Sequence, residues 1–127
     1  AQKTTQHLTS EAEPTMLHGD LRYGNVLRSH REPWLTIDPK GWCGTSAFDA
    51  FSVVAGGRDQ FNLGDGLYAA IQRRVRRFAR TAHVDPDLAL ACCQARATYD
   101  YLYQLTNPRN PFDVEFLRTL ALDGQGR

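Results

Sequence analysis

Long apolar runs are missing from this chain of 127 residues. A helix needs ~20 consecutive apolar residues to cross a bilayer, and no run approaches that, so no membrane partner is expected. The first residues show no succession of basic, apolar and small residues of the kind that directs secretion. Cysteine is scarce: Cys43, Cys92 and Cys93 are all there is. An odd number with two adjacent argues against a disulfide framework and suits a reducing, cytoplasmic setting. No second Cys or His pair stands at zinc-ligand spacing. Charge imbalance is absent too, and a net charge of +1 gives no general pull toward nucleic acid or a membrane surface. No internal repeat is visible. What remains is a globular composition, with 42% hydrophobic and 23% charged residues, which excludes a disordered chain. The length suits one domain that buries about two-thirds of its unfolded surface.

The densest chemistry lies in Leu17-His18-Gly19-Asp20-Leu21-Arg22-Tyr23-Gly24-Asn25-Val26-Leu27, followed by Leu35-Thr36-Ile37-Asp38. Phosphoryl transfer from a nucleotide needs a carboxylate to orient the attacking hydroxyl and oxygen ligands to hold magnesium. Magnesium takes one or two protein oxygens and leaves its other positions to water and phosphates. Asp20 followed five positions later by Asn25 has the spacing of the kinase catalytic loop, H-R-D-x-x-x-x-N, with Gly19 in place of Arg. These residue types are also ordinary turn formers, and a turn without chemistry is the competing reading. The next segment weighs against it. Asn25-Val26-Leu27-Arg28-Ser29 and Trp34-Leu35-Thr36-Ile37 read as two strands joined by a His30-Arg31-Glu32-Pro33 turn. Such a hairpin carries Asn25 and Asp38 to its outer end. Paired strands lie about 5 Å apart, which suits two ligands of one ion.

His18-Gly19-Asp20-Leu21, Asn25-Val26-Leu27, Ile37-Asp38-Pro39-Lys40-Gly41 and Ala47-Phe48-Asp49-Ala50 together resemble the aminoglycoside/hydroxyurea antibiotic resistance kinases. The Ile-Asp-Pro-Lys run points to that family rather than to protein kinases, which carry Asp-Phe-Gly there. The similarity runs from about Pro14 to Leu122, specific over 17–50 and loose beyond. It implies an α+β fold, the mostly helical C-lobe of a protein-kinase-like (aminoglycoside phosphotransferase-like) architecture with one small β-hairpin. It implies ATP and Mg2+ as cofactors, Asp20 as the catalytic carboxylate, and Asn25 and Asp38 as magnesium ligands. His18 is expected to hydrogen-bond loop backbone. Asp49, on the helix after Ser46, is expected to tie back to the catalytic loop as an anchor.

Departures from the family pattern leave some roles open. Arg22 stands where the family usually has histidine, two residues after Asp20, where Ser/Thr protein kinases carry a lysine facing the transferred phosphate. Its guanidinium suits phosphate oxygens, and a plain surface arginine is the alternative. Lys40 is read as a phosphate contact or as a solvated lysine. Gly44-Thr45-Ser46 replaces the usual Gly-Asp-Pro, which removes an acid near the site, and Ser46 is read as the helix cap. A kinase of this type also places a nucleotide-binding lobe before the catalytic loop. Only 16 residues precede Leu17 here, with no Gly-rich loop, no Val-Ala-x-Lys strand and no Met at position 1. The expectation is that residues 1–14 are a tail or the end of a helix from a missing region, and that 15–127 are the C-lobe of a longer kinase.

Beyond the motif, Thr15-Met16-Leu17 reads as a short strand and residues 39–44 as a turn-rich loop. A helix over 47–55 ends at Gly56-Gly57. The spacing of Leu67, Ile71, Val75, Phe78, Ala79 and Ala82 predicts a helix. It also carries Arg73, Arg74, Arg76, Arg77 and Arg80, read as a solvated basic face because no aromatics interleave with them. A nucleic-acid-binding helix is the more distant reading. Asp85-Pro86 opens the next helix, whose apolar set is Leu88, Leu90, Ala91, Ala95, Tyr99, Leu102 and Leu105, with Tyr99 in the core and Tyr101 and Tyr103 lining an opening. A last helix starts at Pro111, and Gly124–Arg127 is a frayed end. The expected activity is phosphorylation of a hydroxyl on an aminoglycoside-like small molecule such as streptomycin, with Asp100, Asp113 and Glu115 as weak candidates for meeting a cationic substrate. The alternative is a truncated, non-catalytic domain that pairs as a homodimer, or binds a partner, through the exposed inter-lobe face.

Overall fold

The computed structural model of the chain describes residues 14–108 and 111–122, without the side chains of 111–113. Of the expected tails, residues 1–13 of 1–14 and all of 124–127 lie outside the described residues. Four strands come first. β1 (Thr15–Leu17) pairs antiparallel with β4 (Trp42–Gly44), placing Leu17 opposite Trp42 and Thr15 opposite Gly44. β2 (Val26–Leu27) pairs antiparallel with β3 (Leu35–Thr36), placing Val26 opposite Thr36. The second pair is the hairpin read from the sequence, with shorter strands. The first pair corrects the expectation of a single hairpin, because residues 42–44 are a strand and not loop. The two pairs are nested: the outer ladder encloses the inner one in the chain. Between them lie residues 18–25 on one side and 37–41 on the other. A 3-10 turn, Tyr23–Asn25, closes the longer side.

The helices build the core. A 3-10 turn at Ser46–Phe48 leads into α1 (Asp49–Gly56). Thr45, not Ser46, caps that entry, accepting a hydrogen bond from the Ala47 N–H. α2 (Leu67–Ala82) ends at His83, whose φ of 55° puts it in the left-handed region and turns the Val84 N–H back onto the Ala79 carbonyl at 3.0 Å. α3 (Pro86–Thr106) is capped by the Asp85 carboxylate, which accepts from the Leu88 N–H at 2.8 Å. α4 is Pro111–Leu122. Among the described residues no helix is long and apolar enough to cross a membrane. The architecture is mostly helical with a small strand part, an α+β arrangement.

One contiguous core unites Val54 of α1, Ile71 and Val75 of α2, Cys92 and Cys93 of α3, and Leu120 of α4, all essentially without exposure. Burying an aliphatic side chain of this size stabilises the fold by roughly 1.5–3 kcal/mol. The α2 stripe follows the predicted spacing. The α3 stripe does not. Its buried residues are Ala89, Cys92, Cys93 and Ala97, while Tyr99 is 67% exposed and Tyr101 packs partly against the core. Small residues occupy that seam because α4 lies close along it and brings the bulk, in Phe116, Leu117 and Leu120. Two of the five arginines of α2 are also not simply solvated. Arg73 pairs with Asp65 at 2.9 Å and donates to the Asn62 carbonyl, and Arg74 donates to the Gly57 carbonyl.

Candidate active site

The gap between the nested ladders holds the residues singled out by the motif. Its frame is backbone. The Ile37 N–H donates to the Asn25 carbonyl at 2.9 Å, and the Lys40 N–H donates to the His18 carbonyl at 2.7 Å. The His18 ring spans the gap. Its Nε2 lies 2.9 Å from the Ile37 carbonyl, and its Nδ1 lies 3.3 Å from the Asp20 N–H. Only one ring tautomer serves both contacts, with Nε2–H donating and Nδ1 accepting. Asp49, buried at 8% exposure, accepts from the His18 N–H at 3.0 Å and from the Gly19 N–H at 2.7 Å, one carboxylate oxygen each. Charge-assisted bonds of this kind are about twice as strong as neutral ones, so the first residue of α1 holds the start of the loop. Gly19 has φ 78°, and a Cβ there would meet the Lys40 and Trp42 side chains. Both facts demand glycine.

Asp20 is held at one oxygen. Asn25 Nδ2 donates to its Oδ2 at 3.2 Å and to its main-chain carbonyl at 2.8 Å, and Arg22 Nε pairs with the same Oδ2 at 3.3 Å. Oδ1 has neither contact. Asn25 is 7% exposed, whereas the Asp38 side chain is 61% exposed and pairs with Lys40 Nζ at 3.1 Å. Asp38 has φ 58° and precedes Pro39, a sparsely populated backbone that glycine, and less often Asn and Asp, adopts. The Asn25 amide nitrogen is committed to Asp20, which leaves its carbonyl oxygen as the remaining ligand atom. One carboxamide oxygen and one carboxylate from adjoining strand ends fit a hard cation that draws its other ligands from phosphates and water. Among the described residues no group of three or more His, Cys, Asp or Glu forms a metal cage.

The structure thus brings His18, Asp20, Arg22, Asn25, Asp38, Lys40 and Asp49 together. The weaker substrate candidates are elsewhere. Asp100 is neutralised by Arg96 one turn earlier, at 3.0 Å, and lines a second cleft with Arg58 and Tyr103. Glu115 is exposed on α4, and the Asp113 side chain lies outside the described residues. A cleft of about 450 Å³ opens beside Gly19, walled by Trp42, Phe48, Phe51, Arg96 and Tyr99, and among the described residues no carboxylate lines it. The sequence reading passed over that cleft because its wall comes from β4, α1 and α3, which share no local motif.

Sequence comparison gives the family. A model of the aminoglycoside/hydroxyurea antibiotic resistance kinase family matches residues 1–100, and the chain belongs to that family of phosphotransferases. It is 31% identical over 98 residues to the streptomycin 6-kinase of Streptomyces glaucescens and 30% identical over 98 residues to that of Streptomyces griseus. Each match covers 77% of this chain and 32% of the relative. The hydroxyurea phosphotransferase of Kitasatospora aureofaciens is 48% identical over 48 residues, covering 36% of this chain and 14% of that protein. The chain therefore spans about a third of the length of the streptomycin kinases that it matches. No solved structure matches it.

Proposed function

We propose that this chain is the C-terminal catalytic lobe of an ATP-dependent phosphotransferase acting on a hydroxyl of an aminoglycoside-like antibiotic, streptomycin or a similar molecule. The observation that carries the reading is the state of Asp20. Its Oδ2 is pinned by Asn25 and Arg22 while Oδ1 keeps no such partner. A base for this reaction needs that division, one oxygen fixed for direction and one left to take a proton. Asp20 orients the acceptor hydroxyl and receives its proton. The Asn25 side-chain oxygen Oδ1 and the Asp38 carboxylate would hold magnesium, which supplies charge neutralisation at the transferred phosphate when bound. Lys40, already beside Asp38, adds positive charge at the same edge, and Arg22, paired with the base, carries a guanidinium suited to phosphate oxygens. His18 and Asp49 fix the loop backbone.

Asp20→Asn, made in the kinase that carries this lobe, should lower kcat by about 10²-fold or more with nucleotide affinity kept, the usual cost of losing a positioned base. Steady-state kinetics on a folded variant decide it, and near-normal turnover would remove Asp20 from the mechanism. A second reading, a non-catalytic lobe that associates through an apolar face, draws on the exposed Trp42, Phe48 and Tyr99 around the cleft. It is the reading left standing if Asp20→Asn changes nothing.

A further inference from the structure

α1 ends in two glycines whose backbone does not require them. Gly56 is helical, Gly57 has φ −118°, and the glycines with positive φ are Gly19, Gly41 and Gly66. In ordinary helical conformations alanine is favoured over glycine by roughly 0.5–1 kcal/mol. A glycine pair at such angles therefore marks a close approach, and the neighbours that come close are in the catalytic loop. A Cβ on Gly56 would lie 3.0 Å from the Arg22 Cβ and 3.5 Å from its Cα. A Cβ on Gly57 would strike the Arg74 guanidinium and lie 2.7 Å from the Tyr23 ring.

Arg74 holds this end of the helix in place. Its Nη1 donates to the Gly57 carbonyl at 2.8 Å, and its guanidinium carbon sits 5.1 Å from the centre of the Phe61 ring. Phe61 in turn packs against Phe116 of the core, with ring centres 6.3 Å apart. Contacts therefore run without a break from the core through Phe61, Arg74 and Gly57 to Tyr23 and Arg22, and Arg22 pairs with Asp20. Asp49 fixes the same loop at its start. Within the loop, the Arg22 N–H donates to the Asp20 carbonyl and the Arg22 carbonyl accepts from the Asn25 N–H, both at 2.9 Å, and the end of α1 is what ties that turn to the core.

We propose that the Gly56–Gly57 end of α1, gripped by Arg74, is the seat that sets where Arg22 stands and, through it, where the Asp20 carboxylate is held. Gly56, Gly57 and Arg74 are then positioning residues for phosphoryl transfer. The inference rests on the reading of Asp20 as the base, but its geometry is testable apart from that reading.

Two-dimensional NMR on the whole chain reads the seat directly. Arg74→Gln adds no atom to crowd the loop and removes the grip. It should shift the Arg22 Nε–H, the Asn25 side-chain amide and the Tyr23 and Gly24 amides, while the Ile71, Val75 and Leu120 methyl signals keep their positions. Gly56→Ala should move the same loop signals by crowding instead of release. In the kinase that carries this lobe, each variant should lower kcat by about tenfold with the nucleotide KM little changed, since a displacement near 1 Å at a reacting group can cost ~10²-fold. Wild-type loop signals in folded Arg74→Gln and Gly56→Ala overturn the seat. Shifted signals with unchanged kcat overturn its role in transfer. Asp20→Asn in the same assay keeps the two ideas apart: if it turns over normally, the reading of Asp20 fails whatever the NMR shows.

Discussion

Asp38 is asked to do two things at one position. It offers an exposed carboxylate, and it holds the chain at φ 58° immediately before Pro39. The left-handed region costs an ordinary L-residue about 1–2 kcal/mol, and only glycine, with Asn and Asp occasionally, visits it routinely. Backbone strain kept at such a place is common where a side chain must be aimed. Two substitutions separate the roles. Asp38→Gly and Asp38→Ala both remove the carboxylate and the exposed pair with Lys40, a surface contact of little energetic weight. Only the alanine keeps the strain. Urea unfolding should find Asp38→Gly more stable than Asp38→Ala by about 1 kcal/mol, although glycine is the more flexible residue in the unfolded chain. Equal stabilities would mean that the turn is unstrained. The grouping of Asp20, Asn25 and Asp38 was legible in the sequence, because they lie within one short stretch and their spacing is local. The contact of Arg22 with Gly56 was not, since a glycine pair in a sequence reads first as a helix stop.

At the scale of the element, α3 shows how a buried seam escapes an apolar count. Leu88, Ala91, Ala95, Tyr99 and Leu102 have helical spacing and larger area, yet the side facing the core is Ala89, Cys92, Cys93 and Ala97. Small residues add little to a hydrophobic pattern, but they let the bulk of α4 come close. β4 escaped for a different reason. Trp42-Cys43-Gly44 is a three-residue strand among glycines, and its partner β1 lies far back in the chain. By contrast, the limits of α2 and the Asp85-Pro86 opening of α3 were plain, because caps and helical period are local signals. The cysteine seam has a consequence in alkali. Burial pushes the Cys92 thiol from 9.0 up to about 11, and burial together with its neighbour pushes Cys93 up to about 12. Both groups hold their protons more tightly when folded. Their contribution to stability is complete below about pH 9 and is lost as pH rises toward 11 and beyond. Melting temperature should therefore fall more steeply between pH 9 and 11 in the wild type than in a Cys92→Ala/Cys93→Ala variant, whose lower starting stability is a separate effect of lost volume. Parallel slopes in thermal melts would show that the thiols contribute nothing to the alkaline limb.

At the scale of the whole molecule, the proposed transfer needs more than Asp20, Asn25 and Asp38. It also needs a loop over the nucleotide phosphates and a lysine that fixes them. The 127 residues contain neither a G-x-G-x-x-G run nor a Val-Ala-x-Lys run. Loss of a single phosphate-stabilising arginine in related chemistry costs ~10³–10⁵ in rate. The chain by itself should consume no ATP in response to streptomycin, even with magnesium and at high protein concentration. Streptomycin-dependent consumption that disappears in Asp20→Ala would overturn this and show that some part of the chain, or a second copy, supplies the rest. The nested ladders also bear on the molecule's history. With Leu17 set against Trp42 and Val26 against Thr36, eight residues (18–25) face five (37–41). The three-residue excess is matched in length by the Tyr23–Asn25 turn. An insertion or deletion on either side breaks that count and throws one ladder out of step, so descent can exchange residues in the gap but not add or drop them. Beyond Leu27 and Leu35 no second ladder keeps count, and there the hairpin tip is free to lengthen or shorten from one lineage to the next.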